Sequence, residues 1–212
     1  MEPVKRRRYR SAVRTEQAAR TRRLIIEAAA DVFVGCGYSR ATIKEVASRA
    51  GVAPDTVYAT FGTKVRLLTA VLDMRLAPGG EASVMETANA LALRDEPDQR
   101  QQLHRFARGM ARISARIRPI FDVLRTAAAV EAEVHEVFAE RERHRLSHMR
   151  QIAGWLATRG PLKTSPDRAG EIIWALASPD VGRMLCDVQG WSEAEHAAWL
   201  EDMLTYALLP SP

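Results

Sequence analysis

The sequence predicts an all-α fold of about nine to ten helices: a small N-terminal bundle of three short helices, then a larger helical domain. Three observations predict it. Apolar residues recur at helical spacing along most of the chain. No stretch alternates with period two over a useful length, so strands are unsupported. Glycines, prolines and capping residues cut the pattern into helix-length pieces, and the pieces are shortest near the N-terminus.

Taken in order, Leu24, Ile25, Ala28, Ala29, Val32, Phe33 and Cys36 form the apolar stripe of a first helix that Gly35 and Gly37 bring to an end. Thr42-Ile43-Lys44-Glu45 reads as a capping box, hydroxyl and carboxylate each satisfying an orphan backbone N–H. The helix it opens turns Ile43, Val46, Ala47 and Ala50 inward and stops at Gly51. Pro54 suits the first position of a third helix, which runs through Val57 and Tyr58 to Gly62. Thr63 caps a fourth carrying Val65, Leu67, Leu68, Val71, Leu72 and Leu76, until Pro78-Gly79-Gly80 breaks it. Beyond lie a short helix near 84–94, a long one at about 98–116 and another from Pro119 to about Ala129. A long helix at about 131–158 ends before Gly160-Pro161, and the last three fall near 166–177, 180–188 and 193–208.

The 212 residues are 47% apolar and 27% charged, too apolar for a disordered chain. No apolar run approaches the ~18 residues that would span a bilayer. The segment after the first basic residues carries Glu27 and Asp31 where a secretory signal needs a clean apolar core, so a cytoplasmic location is expected. Cys36 and Cys186 stand far apart with no metal-type spacing, which fits a reducing compartment. Residues 1–75 hold 15 Lys and Arg against 7 Asp and Glu, and residues 76–212 hold 16 against 19. That asymmetry points the N-terminal part at a polyanion and gives the remainder another task. The densest run, Lys5-Arg6-Arg7-Arg8-Tyr9-Arg10, lies in a basic arm, expected to be flexible, over residues 1–16.

Three short helices within about 50 residues, with a glycine in the turn between the second and third, fit a helix-turn-helix. Gly51-Val52-Ala53 lets the second helix brace the third, Val52 plugs the angle between them, and Val46, Ala47, Ala50, Val57 and Phe61 supply a shared core. The stretch from Thr42 to Leu68, TIKEVASRAGVAPDTVYATFGTKVRLL, resembles the DNA-binding signature of the TetR family of bacterial transcriptional regulators, and the likeness continues upstream from about Thr21 to Gly37. It covers roughly the first third of the chain. The rest matches in length, helical content and a tryptophan-containing C-terminal run.

The resemblance implies a helix-turn-helix domain at 17–63 and a helical effector-binding and dimerisation domain at 64–212, with helix 64–76 connecting them. It implies a homodimer, a ligand-responsive repressor on a palindromic operator of double-stranded DNA, with a small-molecule effector and no cofactor. Thr42, as helix cap, would offer hydroxyl and backbone N–H to a phosphate. Lys44 would reach a base edge or a phosphate. Pro54, Asp55 and Thr56 would face the bases, Tyr58 and Thr60 would hydrogen-bond the DNA backbone, and Lys64 would clamp a phosphate. The chain departs from the family pattern at Ala53, where a hydroxyl cap is usual, and at Asp55, where glycine is frequent. Asp55 either accepts from a cytosine N4 or complements the helix dipole. Thr60 stands where an aromatic or histidine is common. Tyr58 is open to a core role as well as a phosphate contact, and Lys44 and Lys64 to being plain surface lysines.

For the effector pocket the middle helices offer Phe106, Met110, Phe121, Phe138, Met149 and Trp155. For the dimer seam the helices near 166–177 and 193–208 offer Trp174, Trp199, Met203 and Tyr206. A DNA-binding dimer without effector is the alternative. A helical metal-dependent enzyme is the weaker one, using Glu140, His144 and His148 at spacings of four. Glu193-Ala194-Glu195-His196 gives one Glu-x-x-His where a di-iron bundle needs two, and no phosphate loop or nucleophile elbow occurs. An enzyme is not expected.

Overall fold

A computed structural model describes residues 3–210, with side chains from Thr15 onward. Every regular element among them is helical, and two units separate between Leu72 and Asp73.

In the first unit, α1 (Pro3–Arg40) buries Ile25, Ile26, Ala28, Ala29, Ala30, Val32 and Phe33. Leu24, which the apolar pattern put on this stripe, is exposed instead. At 3.6 residues per turn Leu24 lies about 140° round the helix from Ala29 and Ile26 only about 60°, so the buried face takes Ile26. Gly37, at φ 78° and ψ 168°, interrupts the helix, and the Ala41 N–H closes back on its carbonyl at 3.2 Å. The helix starts well before Thr21, where the family likeness begins, and runs through the stretch expected to be a flexible arm, because the Ala-, Gln- and Arg-containing residues ahead of Thr21 include no breaker. The side chains of the basic run Lys5–Arg10 lie outside the described residues.

The helices α2 (Ile43–Ala50), α3 (Pro54–Phe61) and α4 (Lys64–Leu76) follow, α2 packing on both α1 and α3. Thr42 Oγ1 accepts from the Glu45 N–H at 3.1 Å. The reciprocal half of the expected capping box is absent there; both halves are made instead at Ser192 and Glu195. Gly51 closes α2 in the left-handed region, φ 68° and ψ 33°, where a side chain would be strained. The Val52 N–H then bonds to the Ala47 carbonyl at 3.0 Å, fixing the angle at which α3 departs.

The second unit has a single 3-10 turn at Val84–Glu86, then α5 (Ala88–Asp95), α6 (Gln99–Ala128), α7 (Ala132–Ala157), α8 (Pro166–Leu176), α9 (Pro179–Gly182) and α10 (Glu193–Leu208). A π-helical stretch, Arg183–Val188, continues from α9. Two expected helices, 98–116 and the one starting at Pro119, are one. Proline lacks an N–H for Ala115, but Ala111, Ser114, Ile117, Ile120, Phe121 and Leu124 keep one buried face on both sides of it, and that packing holds the helix continuous. The stretch near 84–94 divides at Thr87, whose hydroxyl accepts from the Ala90 N–H and starts α5 afresh. The core gathers Leu103, Phe106, Met149, Ile152, Leu156, Ile173, Leu200, Leu204 and Leu208, from α6, α7, α8 and α10.

One side chain ties the end of α7 to the start of α6. Gln99 Nε2 donates toward the carbonyls of Leu156, at 3.0 Å, and Gly160, at 2.9 Å. The Leu156 carbonyl also accepts from the Arg159 N–H at 3.0 Å, so Gln99→Ala removes one tie rather than every partner and should cost about 0.5–1.5 kcal/mol in urea unfolding; an unchanged midpoint would refute the clamp.

His196 sits 2% exposed on α10, neither ring nitrogen hydrogen-bonded within the protein. Burial, and then the Arg118 charge, push its pKa below the ordinary 6.5, with Glu193 opposing. Burial and the neighbouring His144 lower His148 in the same direction. The unfolded chain thus binds protons that the folded chain refuses, and stability present above pH 6.5 is lost as pH falls through and below that value. His196→Leu, of similar volume, should flatten this acid limb without loss of stability at neutral pH. Unfolding curves at several pH values decide it: an acid limb as steep as the parent's contradicts the assignment.

Candidate nucleic-acid interface

The face formed by the start of α2 and the outer side of α3 is built by local rules. Thr42 is an extended N-cap, φ −117° and ψ 146°, with Lys44 exposed on the first turn beyond it. Ala53 caps α3 without a side-chain bond, and Pro54 takes the first-turn position where its missing N–H costs nothing. Val57 and Phe61 turn inward, 1% and 7% exposed. The other side of the helix is thereby turned outward: Pro54, Asp55 and Tyr58 are exposed, and Thr56 is half-buried. Tyr58 is 54% exposed, so the core role left open for it is not the one adopted. Asp55 lies in the first turn of α3, where a carboxylate also complements the positive end of the helix dipole.

Two of the anticipated contacts have partners within the protein. The Thr60 hydroxyl donates to the Thr56 carbonyl at 2.7 Å, which spends its proton inside α3 and leaves only oxygen lone pairs outward. Lys64 Nζ donates to the Ala41 carbonyl at 3.0 Å and lies 4.2 Å from the Tyr38 ring centroid. Sequence spacing also gave no sign of Arg22, whose guanidinium stacks 4.6 Å from the Phe61 ring centroid at the end of α3, or of the Arg49–Asp31 ion pair at 3.2 Å between α2 and α1. A cation on α1 over an aromatic on α3 is visible only once the helices are packed.

In the second unit, the six residues proposed to line a pocket divide. Phe106 and Met149 are core residues, with Met110 and Trp155 packed against the same cluster. Phe121 and Phe138 form a separate tilted pair, with ring centroids 5.7 Å apart. The four seam candidates divide too. Trp174 is half-buried beneath Arg145, whose guanidinium lies 4.6 Å from its ring centroid and donates to its carbonyl at 2.7 Å. Trp199 is half-buried against Trp191 and His196. Met203 and Tyr206, 36% and 78% exposed, are left on the outer face of α10.

The metal face considered from spacing is not assembled. His144 Nε2 stands 4.0 Å from Glu140 on an exposed helix face, and no group of three or more His, Cys, Asp or Glu side chains among the described residues is placed to hold a metal ion. Nor is any helix among them long and apolar enough to cross a membrane.

Residues 25–71 match the bacterial regulatory proteins of the tetR family. Over 62 residues the chain is 45% identical to the HTH-type transcriptional regulator SrpR of Pseudomonas putida, a stretch that is 29% of either protein. Solved structures share the fold over nearly the whole length. NalD, the secondary repressor of the MexAB-OprM multidrug efflux pump in Pseudomonas aeruginosa, is 18% identical with a TM-score of 0.66, covering 92% of this chain and 100% of that one. The TetR-family regulator PfmR of Thermus thermophilus is 22% identical with a TM-score of 0.62, over 88% and 99%.

Proposed function

We propose, from the match of residues 25–71 to the bacterial regulatory proteins of the tetR family, that the chain is a ligand-responsive repressor acting as a cytoplasmic homodimer on a palindromic operator. The observation that carries the DNA-reading part is the exposed side of α3, anchored from behind by Val57 and Phe61. Pro54, Asp55 and Thr56 face base edges in the major groove, where Asp55 can accept from a cytosine N4. Thr42 and the first N–H groups of α2 hold one phosphate, Lys44 holds a second or a base edge, and Tyr58 donates to another. Thr60 contributes through its oxygen and shape.

A two-fold reader must set its recognition helices about 34 Å apart. The stripe Trp199, Met203 and Tyr206 on α10, with Trp174 on α8, supplies the seam. Effector control follows from linkage: a ligand that binds better to a head spacing mismatched with the operator weakens DNA binding by that difference in affinity. Phe106, Met110, Met149 and Trp155 are the pocket side of this reading, with Phe121 and Phe138 as an outlying pair. The second reading, a DNA-binding dimer without effector, is favoured by how fully Phe106 and Met149 are packed, at 4% and 5% exposure.

Selection of bound duplexes from a random pool tests the proposal. It should return two inverted half-sites about one helical turn apart, and Pro54 or Asp55 substitutions should change the half-site bases. A pool that never narrows in sequence refutes it.

A further inference from the structure

Ahead of its buried face, α1 runs as a helix that the bundle does not cover. Thr15, Glu16, Gln17, Ala18, Ala19 and Arg20 are all exposed, as are Arg22 and Arg23, and burial begins at Ile25. A helix exposed on every side gains nothing from a core, so its charges decide what it can meet. Those charges are nearly all of one sign. Residues 3–23 hold nine Lys and Arg against a single acid, Glu16. Spacings of seven and eight put Arg7, Arg14 and Arg22 on one face of a helix, and Glu16, two positions from Arg14, falls on the opposite side. The root of that face is fixed by packing: the Arg22 guanidinium lies 4.6 Å from the Phe61 ring centroid, at the end of α3. A guanidinium stacked on a ring keeps its in-plane N–H groups for other acceptors. At the helical rise the three arginines span about 22 Å, a length of duplex carrying roughly a dozen phosphates.

We propose that this extension is a second DNA-binding element: the Arg7, Arg14 and Arg22 face binds the sugar–phosphate backbone of the duplex flanking each half-site, without reading its sequence. This rests on the DNA-binding reading above, since α3 brings the duplex to that side of the bundle. Charge complementarity selects the partner, because arginine forks match phosphate oxygens two at a time. A bilayer is a poor match. Val4, Tyr9 and Val13 are the only large apolar residues in this stretch, and lying in a membrane surface needs a broad apolar face.

The test compares the full chain with Arg7→Gln/Arg14→Gln, both changes lying ahead of Ile25, where burial begins. The probes are the selected duplex trimmed to its two half-sites and the same duplex with about ten base pairs added on each side. Binding is followed by anisotropy across a salt series. The parent should bind the extended duplex at least about tenfold more tightly than the trimmed one at low salt, and the double variant should lose that gain. With two phosphate contacts removed per head, its slope of log affinity against log salt should be shallower by about 1.8 for each head. Arg20→Gln/Arg23→Gln removes the same charge from the other side of the helix and should keep most of the gain. Parental slope and length dependence in Arg7→Gln/Arg14→Gln overturn the proposal, as does an equal loss in the two double variants. A loss confined to phosphatidylglycerol vesicles, with duplex binding unchanged, assigns the extension to a membrane surface instead. If the parent binds neither duplex, the DNA reading itself fails; if it binds both equally well, that reading stands and the extension's role is refuted.

Discussion

Tyr58→Glu should abolish specific DNA binding and leave the fold untouched. The ring projects from the outer side of α3, 54% exposed, and the helix keeps its inward anchors, Val57 and Phe61. The backbone bond that closes α3, from the Gly62 N–H to the Tyr58 carbonyl at 2.8 Å, does not involve the side chain. An exposed substitution of this kind changes stability by no more than about 0.5 kcal/mol. On the proposed interface, however, the carboxylate would be brought up to phosphates where the phenol would offer a donor. Like-charge juxtaposition costs several kcal/mol, so affinity should drop by roughly a hundredfold or more. Tyr58→Phe, which loses only the hydroxyl, should lose far less. Anisotropy titrations on the selected duplex, paired with thermal melts, separate the two effects. Parental affinity in Tyr58→Glu would remove α3 from the interface.

Gly170→Val should unfold or severely destabilise the second unit. A Cβ at Gly170 would stand 2.6 Å from the Arg150 Cα and 2.9 Å from its backbone nitrogen. Backbone atoms cannot rotate away as a side-chain tip can, so α8 must withdraw from α7. Ala169 and Ile173, both 0% exposed on α8, would then lose their packing. Overpacking alone costs about 1–3 kcal/mol, and a valine in a helix-contact position should exceed the upper end. Gly154→Ala on α7 is the control, because nothing stands within 4 Å of its added Cβ. Replacing this last-turn glycine, which has helical backbone, should gain no more than about 0.5–1 kcal/mol. Equal melting temperatures for Gly170→Val and its parent would contradict the close approach of α7 and α8.

How much of this was legible in the sequence follows from the range of the forces concerned. Thr42, Gly51, Pro54 and Gly62 mark the boundaries of α2 and α3 because caps and left-handed turns are decided within a few residues. Pro119 misleads for the opposite reason: its local preference to break a helix is overridden by a buried face that runs on from Ala111 to Leu124. Lys64 is legible as a charge at a helix start, but the carbonyl it reaches lies 23 residues away, and no spacing rule connects them. The apolar residues of the second unit show the same limit. Periodicity marks Trp174, Trp199, Met203 and Tyr206 as stripe positions, yet it does not say that Arg145 covers Trp174 while Tyr206 stays 78% exposed. The six proposed pocket residues are alike in sequence and divide only when α6 and α7 are packed.

The central claim is that the exposed side of α3 reads base sequence. The measurement that tests it most directly is the affinity of the full chain for a duplex carrying the selected site and for a scrambled duplex of the same composition, at matched salt. Sequence reading predicts a preference on the order of 10³-fold or greater, with both affinities falling as salt is raised. Equal affinities for the two duplexes, or no retention of either in dilute salt, would contradict it.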